Sequence, residues 1–265
     1  MGRAGHSADI TLSSRDIVFL AGLFGGTELV GIRDPFRGRP AEDVDKELKS
    51  TRDSLVERGL ISISGEDVAF LDPDLQAAVG AIARPACTLI VHRSGSGAGA
   101  TKFFHVSRYY SVSHPLQEDE NELTLHLVST VTQAARELLG ALSLPRSDLT
   151  PRGEPFTCRT DGFLALLRGA SPDMDLLATF SDDFKTSLAE NWAYTSLVCL
   201  DRSKEPANAN VIGFFYTDNS LWKIEPALGG KDSKVTVRPC GNADAMASIR
   251  RDISEYLPEL SMRLF

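Results

Sequence analysis

Two stretches of this chain carry the same order of local patterns, and that repetition limits its fold more than any single motif does. The first half runs FLDPDLQAAV, CTLIV, FFHVSRYYSVSHP and ELTL, then VTQAARELLGAL, whose apolar residues recur at helical spacing. The second half runs TFSDDFKTSL, SLVCL, FFYTDNSLWKIEP and KVTV, then ADAMASIRRDISEYL. In this alignment Phe103-Phe104 falls on Phe214-Phe215, and Pro115 on Pro226. The openings match too, with ITLSSRDIVFLAGL (10–23) over FTCRTDGFLALLRG (156–169). Self-similarity on this scale reads as one supersecondary unit used twice and packed against itself. The expected fold is a duplicated α+β unit. Residues 1–145 form the first repeat, with an extra helix and hairpin inserted at 25–70, and residues 146–265 form the second. Together they make one compact pseudo-symmetric domain whose sheets share a layer.

Local signals place the elements. Thr11-Leu12-Ser13-Ser14 caps a helix that should bury Ile17, Val18, Leu20 and Leu23 and end at Gly25-Gly26. A second helix is expected over 41–58, with Val44, Leu48, Leu55 and Val56 on its apolar face and Gly59 as its stop. LISIS and DVAFLD, separated by Gly65-Glu66, read as a tight hairpin, and Asp72-Pro73 opens the next helix. KFFHVSRYYSVSH is one bent strand or two consecutive ones. The acidic QEDENE (117–122) reads as a solvated turn, and the proline-rich 144–155 as a linker.

The 265 residues are 42% apolar, enough for a real core, and their net charge of −8 disfavours nucleic acid and anionic membranes as partners. No apolar run reaches the roughly 20 residues of a membrane span. The opening MGRAGHSADI lacks an apolar signal core, and His6 stands where a myristoylation motif wants Ser or Thr. The expected location is cytoplasmic. Cys87, Cys158, Cys199 and Cys240 form no C-x-x-C pair, and Cys87 and Cys199 sit in or beside apolar strand runs, as plain buried thiols do.

The candidates for chemistry are few. His92, His105 and His126 fall on strands, and a pairing across 94–100 would let His92 and His105 share a face within reach of a metal. The second half, however, has Leu200, Tyr216 and Val237 at or near those places, and ligand spacing is missing. SGSGAGA (94–100) leads into a strand where a phosphate cradle needs a helix N-terminus, so it reads as a hairpin loop. There is no G-x-S-x-G. The expectation is a non-enzyme with no cofactor and no metal. The helix–helix–hairpin order over 13–71 also describes a winged helix. Its recognition helix, AEDVDKELKSTRDSLVERG, has six acidic residues against four basic ones, the wrong balance for a DNA groove. A winged-helix transcriptional regulator, or a ligand-sensing protein, is the alternative reading.

The closing segment, VIGFFYTDNSLWKIEPALGGKDSKVTVRPCGNADAMASIRRDISEYL, resembles the closing part of the ESX (type VII) secretion-associated chaperone family, EspG-like proteins of actinobacteria. The resemblance lies in Val211–Phe215, Asp218, Trp222, Gly229-Gly230, Val235–Pro239 and the helix from Asn242 to Tyr256. The chain departs from the family pattern at Asn219-Ser220-Leu221-Trp222, where a Gly-Arg-aromatic turn is common. The resemblance implies a quasi-two-fold fold, a central antiparallel sheet flanked by helical bundles. It also implies a cytosolic chaperone that keeps a helical secretion substrate soluble for export, a PE/PPE-like protein or related helical hairpin. Monomer or weak homodimer is expected, with no nucleic acid and no membrane as partner. Recognition by loops on a rigid sheet would place client binding on 202–210 and 217–221, through Phe214, Tyr216, Asp218, Asn219, Leu221 and Trp222.

Overall fold

A computed structural model of the chain describes residues 6–26, 28–65, 67–95, 99–117, 122–145, 147–201, 208–226, 233–254, 257, 260 and 262–263. The fold is mixed helix and strand, built on a large antiparallel sheet with eight helices among the described residues. The chain forms two compact units. The first comprises Met1–Leu89, Lys102–Ala134 and Asp201–Pro206, and the second Ile90–Thr101, Ala135–Leu200 and Ala207–Phe265.

The first unit contains, in chain order, β1 (Ser7–Leu12), α1 (Ser14–Leu23), α2 (Ala41–Glu57), β2 (Ile61–Ser64), β3 (Asp67–Phe70) and α3 (Pro73–Ala83). It continues through the start of β4 (Cys87–Gly95), most of β5 (Ala100–Val106), β6 (Ser111–Pro115), β7 (Leu123–Val128) and the start of α4 (Val131–Leu142). Its strands pair in the order β1-β7-β6-β5-β4, while β2 and β3 form a separate hairpin. Ser13 caps α1 by accepting from the Asp16 amide at 3.1 Å, and the Asp16 carboxylate accepts from the Ser13 amide at 3.1 Å, a reciprocal box that satisfies two otherwise orphaned donors. Asp72 caps α3, with Pro73 in its first turn. Ile17 and Leu20 of α1, Leu75, Val79 and Ile82 of α3, and Leu123, Leu125 and Leu127 of β7 close one core. Each such buried side chain contributes about 1.5–3 kcal/mol.

Some expectations fail here. Leu23 and Val56 are exposed, because each sits at a helix end beyond the reach of its packing partners. Gln117, expected in a solvated turn, is buried: its amide donates to Ser14 Oγ at 2.7 Å and its oxygen accepts from the Arg33 amide at 3.3 Å. Residues 118–121 lie outside the described residues. Thr11 and Leu12, expected only as part of a helix cap, end an edge strand, β1, that is short and largely exposed.

The second unit contains β8 (Phe156–Arg159), α5 (Thr160–Leu167), α6 (Met174–Thr179), α7 (Asp182–Ala189), β9 (Ala193–Asp201), β10 (Asn208–Tyr216), β11 (Leu221–Pro226), β12 (Lys234–Pro239) and α8 (Asn242–Ser254). Its strands pair in the order β9-β10-β11-β12-β8. The stretch 170–179 contains α6. Phe156, Phe163, Phe180, Phe184, Phe215 and Trp222 form the aromatic core under α5, α6 and α7, with ring centroids 4.9–6.4 Å apart. The presumed linker is anchored within this unit. Asn242 donates to the Pro145 carbonyl at 2.6 Å and accepts from the Leu149 amide at 3.2 Å. At Gly153, where φ is +99°, a Cβ would stand 2.8 Å from Trp222.

The two units share an order of elements, and pairing fixes the correspondence. Ile10 faces Leu125 as Phe156 faces Val237, and α1 and α5 each begin two residues after the buried Leu12 and Cys158. These positions follow the sequence alignment. The β5–β6 and β10–β11 hairpins do not. Their four-residue turns, Ser107–Tyr110 and Thr217–Ser220, each close with an N–H to carbonyl bond of 2.9 Å. Counting from the turns places Phe104 where Phe214 stands and His105 where Phe215 stands, one residue off the alignment that stacked both phenylalanine pairs. In a strand that slip exchanges the two faces. These are parallels of order and register, and they do not establish that one half was copied from the other.

The slip puts a histidine pair in the middle of the first unit. His105 and His114, both buried, occupy the places of Phe215 and Ile224. Their hydrogen bonds fix one tautomer of the neutral pair. His114 donates from Nδ1 to the Pro115 carbonyl at 2.7 Å, so its Nε2 accepts from His105 Nε2 at 2.9 Å, and His105 Nδ1 accepts from Thr88 Oγ1 at 3.2 Å. Burial, aided by Lys102, pulls His114 down to about 4 against the raising effect of the Pro115 bond. The folded state therefore binds its proton less readily than the unfolded chain. The stability this confers is present above the unfolded value of 6.5 and is lost as pH falls toward about 4, by at most about 3 kcal/mol. Thermal denaturation followed from pH 7 to pH 4 should show this loss. His114→Ile, which copies the second unit, should flatten that dependence, and an unchanged pH profile would contradict the assignment.

Candidate functional site

The β10–β11 hairpin carries the residues expected to meet a client. Its turn is held by its own hydroxyls: Thr217 Oγ1 accepts from the Asn219 and Ser220 amides, both at 3.1 Å. The hydroxyls then run inward as a chain. Thr217 donates to Ser220 at 3.0 Å, Ser220 donates to Ser187 at 2.8 Å, and Ser187 donates to the Asp183 carbonyl at 3.0 Å. Trp222 Nε1 donates to Ser187 at 3.2 Å, so the buried indole has its partner.

This geometry sorts the six named residues. Phe214, Leu221 and Trp222 are buried, at 0%, 3% and 1% exposure, and are corrected from surface contacts to core. Trp222 is edge-on to Phe184 at 5.2 Å, which leaves none of its ring for a partner. Tyr216 is half-buried, its hydroxyl without a hydrogen-bond partner among the described residues. Asp218 and Asn219 are exposed, with Asn219 Nδ2 3.5 Å from Glu190 Oε2. Of the loop 202–210, residues 202–207 lie outside the described residues, as do 228–230 and 96–98.

Sequence reasoning missed the matching turn of the first unit. There Tyr109 is 67% exposed beneath the Arg108 guanidinium, 5.4 Å from its ring centroid, and Tyr110 is exposed beside it. The available signal was the adjacency of Tyr109 and Tyr110 in a strand–turn–strand pattern, since a tight turn cannot bury both.

The three candidate histidines His92, His105 and His126 do not converge, and His105 pairs with His114 instead. His92 is exposed and bonds Thr101 Oγ1 at 3.0 Å, with its proton affinity lowered by partial burial and by Arg168. His126 pairs with Asp9 at 2.5 Å. Among the described residues no three histidine, cysteine or acidic side chains are grouped to hold a metal. All four cysteines are free and buried, and burial pushes Cys158 and Cys240 up to about 12, so neither is a thiolate at neutral pH. No described helix is long and apolar enough to cross a membrane.

No protein-family model and no curated protein matches this sequence. Among solved structures the chain is similar to the type VII secretion system chaperone EspG5 of Mycobacterium tuberculosis, solved in complex with a PE25-PPE41 dimer. That similarity covers 88% of this chain and 91% of the other, at 11% identity and a TM-score of 0.48. At that level it transfers no site residue and no activity.

The core assignment makes a sharp prediction. Trp222→Ala should cost about 3–5 kcal/mol in denaturant unfolding, since it opens a cavity in the aromatic core. Asn219→Ala should stay within about 0.5 kcal/mol of the parent. Equal effects at the two sites would place Trp222 at the surface.

Proposed function

We propose that this protein is a cytosolic, non-catalytic chaperone that binds a helical type VII secretion substrate and keeps it soluble for export. The observation that carries the reading is the closing segment, whose resemblance to the ESX secretion-associated chaperones was read from sequence alone. Val211–Phe215 lies within β10, Asp218 in the turn, Trp222 in β11 and Val235–Pro239 in β12, and Asn242 opens α8, an order of elements that supports the reading. Gly229-Gly230 and Tyr256 lie outside the described residues.

The contact surface follows from which of the six residues reach solvent. Tyr216, Asp218 and Asn219 border the Thr217–Ser220 turn, and the turn's internal hydroxyl bonds hold its shape before any partner arrives. Such preorganisation lowers the entropy cost of binding. With Trp222 and Leu221 in the core, the rigid sheet supplies support and the turn supplies recognition.

The test is co-expression with PE/PPE-like helical proteins from the native host, followed by size-exclusion chromatography. A stoichiometric complex is expected with at least one, and Asp218→Lys combined with Asn219→Arg should weaken it at least tenfold while the melting temperature holds. Failure to co-elute with any of them would overturn the chaperone reading. A complex indifferent to the turn substitutions would keep the function and move the site.

A further inference from the structure

The outer strand of the first unit's sheet is open along one side. β1 pairs with β7 in antiparallel register, from Ser7 opposite Val128 to Leu12 opposite Leu123. The Ser129 amide donates to the His6 carbonyl at 3.1 Å, which makes these two a hydrogen-bonded pair, and the alternation of an antiparallel ladder fixes the rest. Ala8, Ile10 and Leu12 bond toward β7, while the N–H and C=O groups of Ser7, Asp9 and Thr11 point the other way. The side chains agree with this phase. Asp9 meets His126, and Thr11 meets Thr124 at 3.1 Å, as the closer side chains of non-hydrogen-bonded pairs do. None of the six outward backbone groups bonds another described residue, and Ser7, Asp9 and Thr11 are all exposed.

Sheets commonly protect such an edge by shortness, proline or a cationic side chain. β8, the outer strand of the second unit, has all three: it is four residues long, with Pro155 directly before it and Arg159 at its end. β1 has six residues and no proline, glycine, lysine or arginine among them. Its one charged side chain, Asp9, is 68% exposed, and His126 engages only its Oδ1. The opposite face of the strand is apolar, with Leu12 buried and Ile10 packed at the margin of the first unit's core. Thr11 and Leu12 also line a polar hollow of about 430 Å³ with Ser50, Thr51 and Ser54 of α2, so the end of the strand borders open space.

We propose that β1 receives an extended segment of a partner protein as an added strand, with a lysine or arginine opposite Asp9 and apolar residues opposite Ala8 and Ile10. The edge itself specifies this occupant. Donors and acceptors at alternate residues are what another strand satisfies, Asp9 Oδ2 takes a cation, and Ile10 takes an apolar neighbour. A second copy of this chain fits less well. The antiparallel self-register that uses all three outward residues sets the two Asp9 side chains directly opposite each other, where like charges are destabilising. The inference does not rest on the secretion reading, whose contacts lie on the β10–β11 turn.

The probe is a pair of fluorescein-labelled peptides of about nine residues, long enough to cover Ser7 to Thr11 in an extended chain. They alternate threonine and valine and carry either lysine or glutamate at the centre. In fluorescence anisotropy titrations the lysine peptide should bind saturably at one site, at least fivefold more tightly than the glutamate peptide, and Asp9→Lys should reverse that preference. N-methylation of alternate amides of the lysine peptide, in the phase that faces β1, should weaken binding at least tenfold. Thr11→Pro should do the same with the melting temperature held, because the Thr11 amide makes no bond within the fold. On binding, hydrogen exchange at the Ser7, Asp9 and Thr11 amides should slow. No saturable binding, equal binding of the two peptides, indifference to N-methylation, or unchanged exchange at those three amides would overturn the proposal. So would a sedimentation-detected dimer that Thr11→Pro dissolves, which would assign the edge to a second copy.

Discussion

The structure depends on strands that are buried on both faces. Successive side chains of a strand point to opposite sides of the sheet, so Phe214 and Phe215, each fully buried, require cover above and below β10. Phe215 faces the aromatic cluster beneath α5, α6 and α7, while α8 packs against β10 and buries Ala245, Ile249 and Ile253. A sheet with one solvated face would leave one phenylalanine of each such pair in water. The same demand explains why central strands here read as near-continuous apolar runs instead of alternating ones.

That pattern was legible in the sequence, and its consequences were not. The helix that follows the Thr11–Ser14 cap and the helix opened by Asp72-Pro73 came directly from turn chemistry and periodicity. The register of the repeat did not, because aligning FF with FF maximises identity whereas the chain is registered by its turns. One residue of slip decides whether His105 corresponds to Phe215 or to Tyr216, and the pairing of Phe104 with Ser113 and of Phe214 with Lys223 settles it. The client residues failed for a related reason. A run such as FFYTDNSLW cannot reveal which members of a two-sided strand meet solvent, since all of them are apolar or flank a turn. Trp222 needed a hydrogen-bond partner if buried, and that partner, Ser187, lies on a helix 35 residues away in the chain.

Two equivalent places in one chain also show how far a fold tolerates different chemistry. Where the second unit uses Phe215 and Ile224, the first uses two histidines whose donors and acceptors form a closed series with Thr88 and the Pro115 carbonyl. Satisfied in this way, a buried polar pair is compatible with a close-packed interior, and it adds a dependence on pH that the aromatic version lacks. The surface differs in a parallel manner: the first unit's turn shows Tyr109 under Arg108, the second's shows Asp218 and Asn219.

Amide hydrogen exchange of the β10–β11 hairpin tests the two-sided burial most directly. The amides of Gly213 to Phe215 and of Trp222 to Ile224 should exchange only through global unfolding, whereas the amide of Asp218 at the tip of the turn should exchange fast through local motion. Strand amides exchanging as readily as the turn would mean that the hairpin is not covered on both faces, and the core assignment of Phe214 and Trp222 would fall with it.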